Sequence, residues 1–168
     1  MFFYFFMTDR GHGEKRSAVI ACVDHRAAFP AHANIRSRHQ DGDDHEADII
    51  TAPGPERFDP KHPQSRQFSR RSLAHVLNAA RIVHEAHGVD NIDFTSHRGC
   101  AANPADPEVQ DASTRRAAHR LETALRREGL AITVHPQVAE RHRDGTHMIT
   151  SLERIAPVPV SKKKRRAI

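Results

Sequence analysis

Short apolar runs rich in β-branched residues alternate along this chain with longer stretches of helical periodicity, and that alternation sets the fold class. Ser17 to Val23 reads as a buried strand, and Ala47 to Thr51, Asn91 to Ser96, Leu130 to His135 and His147 to Leu152 read as four more. Between the second and third strands, Leu73, Val76, Leu77, Ala80, Val83 and His87 recur at helical spacing. They predict a helix opened by Ser69 or Ser72 and closed at Gly88. Pro107 suits the first turn of a second helix, which runs to about Glu128 with Val109, Ala118, Leu121 and Leu125 inward and stops at Gly129. An irregular helix is expected around Ala31 to His39. Apolar strands separated by helices imply an α/β fold with a mainly parallel central sheet of about 4–5 strands flanked by helices.

A chain of 168 residues has the size of one domain with its own core. Residues 1–16 are expected to form an N-terminal arm, 17–156 the domain, and 157–168 a basic tail. The opening Met1 to Met7 is apolar but lacks a basic flank and a small-residue cleavage site, so it reads as an arm that packs on the domain or on a second subunit, not as a signal peptide. No apolar run approaches the roughly 20 residues that span a bilayer, so no membrane partner is expected. The net charge of +5 owes much to Lys162 to Arg166. No aromatic residue interleaves with that run, so nucleic acid is not an expected partner and the tail reads as solvated. Two cysteines are too few for a disulfide scaffold, which fits a cytoplasmic, reducing compartment.

Those two cysteines lie in compact clusters of reactive residues, each just after an apolar run: Cys22-Val23-Asp24-His25-Arg26 and His97-Arg98-Gly99-Cys100. Sheets of this kind bind ligands beyond the carboxyl ends of their strands, so the clusters converge if their strands are neighbours. Cys22, His97 and Cys100 would then offer two thiolates and an imidazole to a zinc ion (Zn2+), with a fourth position open. Asp24 and Arg26, two apart in a sharp turn, can pair and hold the carboxylate ionised beside the metal. His84-Glu85-Ala86-His87 is one residue short of the spacing that a zinc protease helix requires.

Cys-x-Asp-x-Arg followed by His-x-x-Cys, in a chain of alternating strands and helices, resembles the β-class carbonic anhydrases over roughly Ser17 to Leu152. The resemblance implies zinc on Cys22, His97 and Cys100, a catalytic Asp24–Arg26 dyad, and a homodimer or higher homo-oligomer. It implies reversible hydration of carbon dioxide to bicarbonate by a zinc-bound hydroxide. His25 stands where the family usually has Ser, and its unperturbed pKa near neutrality makes it a candidate proton shuttle. Thr51-Ala52-Pro53-Gly54-Pro55 stands where the family has a glycine-containing loop beside the site, without that loop's polar side chains. Alternative readings are a non-catalytic zinc-binding protein on the same scaffold and a hydrolase of carbonyl sulfide or carbon disulfide. A redox pair of Cys22 and Cys100 is disfavoured, because no Cys-x-x-Cys is present and the dyad would have no role.

Overall fold

A computed structural model describes residues 17–22, 28, 30–31, 33–34, 47–59, 61–62, 65, 70–100 and 106–155. In chain order the elements are β1 (Ser17–Cys22), β2 (Ala47–Ala52), a 3-10 turn (Pro55–Phe58), α1 (Arg70–His87), β3 (Asn91–His97), α2 (Pro107–Arg127), β4 (Thr133–Arg141) and β5 (His147–Ser151). The five strands form one sheet in the order β2-β1-β3-β4-β5. The pairs β1–β2, β1–β3 and β3–β4 are parallel, and β4–β5 is antiparallel. The expected mainly parallel sheet with flanking helices is therefore what the chain forms.

This order contains a reversal. From β1 the chain crosses to β2 on one side, then returns to place β3 on the other side of β1. The carboxyl ends of β1 and β3, where the order reverses, are the place at which such a sheet opens a ligand crevice.

One face of the sheet carries Ala18, Ile20, Ile50, Ile92, Phe94 and Val134 against Val76, Ala80 and Val83 of α1 and Ala117, Ala118, Leu121 and Leu125 of α2. On the other face Val19 and Ala21 pack with Ala31, one of the helical positions described in the 28–34 stretch. The rest of the helix expected around Ala31 to His39 lies outside the described residues, as do residues 1–16 and 157–168. α2 begins where Asp106 caps it, its carboxylate accepting from the Glu108 N–H at 2.8 Å, with Pro107 in the first turn. It ends in a Schellman arrangement: Gly129 at φ 89° lets the Leu130 N–H reach the Leu125 carbonyl (3.1 Å) and its own N–H reach that of Arg126 (3.1 Å).

Two expectations need correction. The fourth strand starts at Thr133 and runs on to Arg141, past the expected end at His135. The longer strand contains Pro136, and proline removes a ladder donor. In the sheet the Pro136 carbonyl accepts from the Leu152 N–H, so its missing N–H faces the side on which β5 ends, and the pairing with β3 is intact. Val109 is 54% exposed instead of inward. The buried stripe of α2 is Gln110, Ser113, Thr114, Ala117, Ala118, Leu121, Glu122 and Leu125. Its first turns present polar side chains to the protein, so a search for apolar residues alone picks the neighbouring valine.

Candidate metal centre

β1 ends at Cys22 and β3 ends at His97, and the two strands are hydrogen-bonded neighbours. The turn after His97 brings Cys100 back beside them. One donor atom from each of Cys22, His97 and Cys100 lies within 4.8 Å of the others. Metal–ligand bonds of about 2.0–2.3 Å would place tetrahedral donors roughly 3.3–3.8 Å apart, so small side-chain shifts separate this cluster from a coordinating one. All three residues are buried, and neither cysteine is in a disulfide.

Each donor is held from outside. The Gly54 N–H donates to Cys22 Sγ at 3.4 Å, a contact that favours the thiolate. His97 Nδ1 lies 3.1 Å from the Arg98 carbonyl oxygen. A carbonyl only accepts, so Nδ1 carries the proton and Nε2 keeps the lone pair that a metal needs. The His97 carbonyl accepts from Gln110 Nε2 at 2.7 Å. Arg98 ties the same turn to the start of α2: its guanidinium donates to the Pro107 carbonyl and to Gln110 Oε1, both at 3.0 Å, and pairs with Asp111 at 2.7 Å. On one side His97 borders a cavity of about 360 Å³, lined also by Arg98, Gly99, Ala139, Glu140 and Arg141.

The 3-10 turn brings in a residue that sequence reasoning missed. Glu56 is fully buried. Burial pushes its carboxyl above the ordinary carboxylate range, and the charge of Cys22 adds to this. Its own N–H, the Cys100 side chain and His97 pull the other way. The loop without polar side chains thus delivers a carboxyl to the cluster one residue beyond the segment that matched. The only signal in the sequence was an acidic residue in a Pro-Glu turn, which looks like an ordinary surface turn. Gln110 was missed, and Arg98 was named in its cluster without a role, for the same reason: their roles rest on tertiary contact.

Of the residues singled out by sequence, the structure brings together Cys22, His97 and Cys100. Asp24, His25 and Arg26 lie outside the described residues. His84 and His87 are remote from the site; His87 pairs with Asp48 on β2 at 2.7 Å, and His84 approaches the Val89 carbonyl at 2.8 Å.

The sequence profile of the family described as "Putative carbonic anhydrase" matches residues 12–134. The chain belongs to that family, as the two motifs led one to expect. Among solved structures, the β-carbonic anhydrase isoform I of the protozoan Trichomonas vaginalis aligns with 86% of this chain and 87% of its own, at 13% identity and a TM-score of 0.44. No curated protein matches the sequence. Among the described residues, no helix is long and apolar enough to cross a membrane.

Proposed function

We propose that this protein is a zinc-dependent carbonic anhydrase that interconverts carbon dioxide and bicarbonate. The observation that carries this is the convergence of Cys22, His97 and Cys100 in one buried cluster of a chain from the carbonic anhydrase family. The donor set fits the metal: two sulfurs and an imidazole nitrogen suit zinc, and three protein donors leave one position for chemistry. Cys22 and Cys100 would hold the ion through Sγ as thiolates, and His97 through Nε2. The chemistry that zinc would supply there is a hydroxide near neutral pH, since the pKa of its bound water would fall to about 7.

The protein's own groups do the rest. The Gly54 N–H offsets negative charge on Cys22 Sγ. Gln110 and Arg98 fix the turn that presents His97 and Cys100. Burial keeps bulk water from the donors and strengthens every electrostatic contact among them. Asp24, paired with Arg26, orients the nucleophile by accepting its proton in a hydrogen bond, and His25 passes the released proton to solvent. Their place next to Cys22 in sequence supports these roles. A homodimer in a reducing, cytoplasmic compartment suits a site that depends on two thiolates.

Metal analysis joined to a stopped-flow assay of carbon dioxide hydration tests the proposal. The wild-type chain should hold about one zinc and hydrate carbon dioxide. Cys22→Ser should lose both, and Asp24→Asn should keep zinc while its rate falls by roughly 100-fold or more. Zinc without hydration in the wild type would leave a zinc-binding protein and no enzyme. No zinc in protein purified without chelators would remove the site.

A further inference from the structure

The chemistry proposed above makes no use of Glu56. A carboxyl withdrawn from water without hydrogen bonds costs free energy. Glu56 is 0% exposed, and among the described residues neither of its oxygens meets full hydrogen-bond geometry, although the Cys100 side chain and the Glu56 N–H lie close enough to act on the carboxyl. Two other buried carboxylates show how this fold satisfies such groups. Asp59 accepts from Arg116, Ser113 and the Lys61 N–H, and Glu122 accepts from Arg126, Arg154 and the Val134 N–H. Among the described residues no arginine pairs with Glu56. Among the described residues, the side chains that act on it are Cys22, Cys100 and His97, the three candidate donors. A leucine or glutamine would fill the same volume at lower cost.

Glu56 is placed with some care. Gly54, which lends its N–H to Cys22, directs the chain into the turn, and Ser113 Oγ lies 3.4 Å from the Glu56 carbonyl oxygen, holding the turn on α2. Glu56 does not join the group of donors that lie within 4.8 Å of one another, so it stands one layer out. Groups in that layer commonly govern how tightly the inner donors hold a metal.

Resting on the metal-centre reading above, we infer that Glu56 is a positioning residue of that centre. It holds Cys100 and the adjacent donors in their metal-binding arrangement, as the Gly54 N–H holds Cys22 Sγ. Its burial serves the ion at the expense of the stability of the metal-free protein.

The test uses the full chain and cobalt(II) as the probe, with wild type, Glu56→Leu, Glu56→Gln and Cys22→Ser. Three quantities are read: the sulfur-to-cobalt absorption, cobalt affinity in competition with a chelator, and the Tm of the metal-free protein. Glu56→Leu should raise the metal-free Tm by about 3 °C, because an unsatisfied carboxyl has left the interior. It should also lower cobalt affinity by roughly 10–100-fold and alter the absorption. Glu56→Gln, which keeps a hydrogen-bonding group in place, should recover most of the affinity. A packing role predicts the opposite pair, a lower Tm with unchanged cobalt affinity, and that result overturns the inference while the metal centre stands. Glu56→Gln as weak as Glu56→Leu also overturns it. Wild type that binds no cobalt, or Cys22→Ser that binds it equally well, removes the metal centre and the inference together.

Discussion

At Gly54 a single backbone conformation serves two groups. Its φ of 57° and ψ of 68° lie in the left-handed region, which side chains with a Cβ adopt at a cost of roughly 1–2 kcal/mol. That conformation aims the N–H at Cys22 Sγ and starts the turn that buries Glu56. Gly54→Ala should therefore lower stability by about 1 kcal/mol or more and weaken zinc binding as well, measured by denaturant midpoint and chelator competition. Residues at this scale were unevenly legible. Cysteine and histidine announce themselves, because few other side chains bind zinc and their spacing after apolar runs is a local pattern. Glu56 and Gln110 carry no such pattern. A glutamate in a proline-rich turn and a glutamine in an arginine-rich helix look solvated until the fold closes over them.

Among the elements, α2 does most to assemble the site. Its polar first turns hold the His97–Cys100 turn through Gln110 and through the Arg98–Asp111 pair. One turn further on, Ser113 and Arg116 hold Asp59, and Arg120 donates to the Phe58 carbonyl at 2.7 Å, which fixes the loop carrying Gly54 and Glu56. Burial works to raise the Asp59 pKa, but Arg116, the Lys61 N–H and Ser113 outweigh it, and the folded value lies below 3.8. A carboxylate depressed in this way contributes stability that is fully present above its unfolded pKa and is lost as pH falls through the folded value. Asp59→Asn should thus be less stable than wild type at pH 7, and the gap should close below about pH 4, followed by denaturant midpoints across that range. β1, β2, β3 and both helices could be read from periodicity because their apolar residues do the packing. β4 was legible as a strand but not in its bounds, since Pro136 is tolerated only where β5 runs out, and the inward face of α2 was misplaced because its site-facing end is polar.

For the whole molecule the decisive fact is the strand order. The donors come from the ends of β1 and β3 and from the turn beyond, so the complete set exists only in the folded sheet. A metal that binds the folded chain and not the unfolded one adds its binding energy to stability. Saturating zinc should raise the Tm by roughly 10 °C, a chelator should reverse the gain, and Cys22→Ser should abolish it. The other end of the sheet is secured separately: Arg154, past β5, reaches back to Glu122 on α2 at 2.9 Å.

The adjacency of β1 and β3 also bears on the time course of folding. Their pairing joins segments far apart in the chain, with β2 and α1 between them, and such non-local parallel contacts form late and slowly. Until they form, two cysteines and a histidine are only scattered weak ligands on a loose polymer. If the cluster takes an ion as proposed, its capture would mark the instant at which the central strand pair zips shut. The colour of bound cobalt would serve as a clock for that one step, silent during collapse and helix growth.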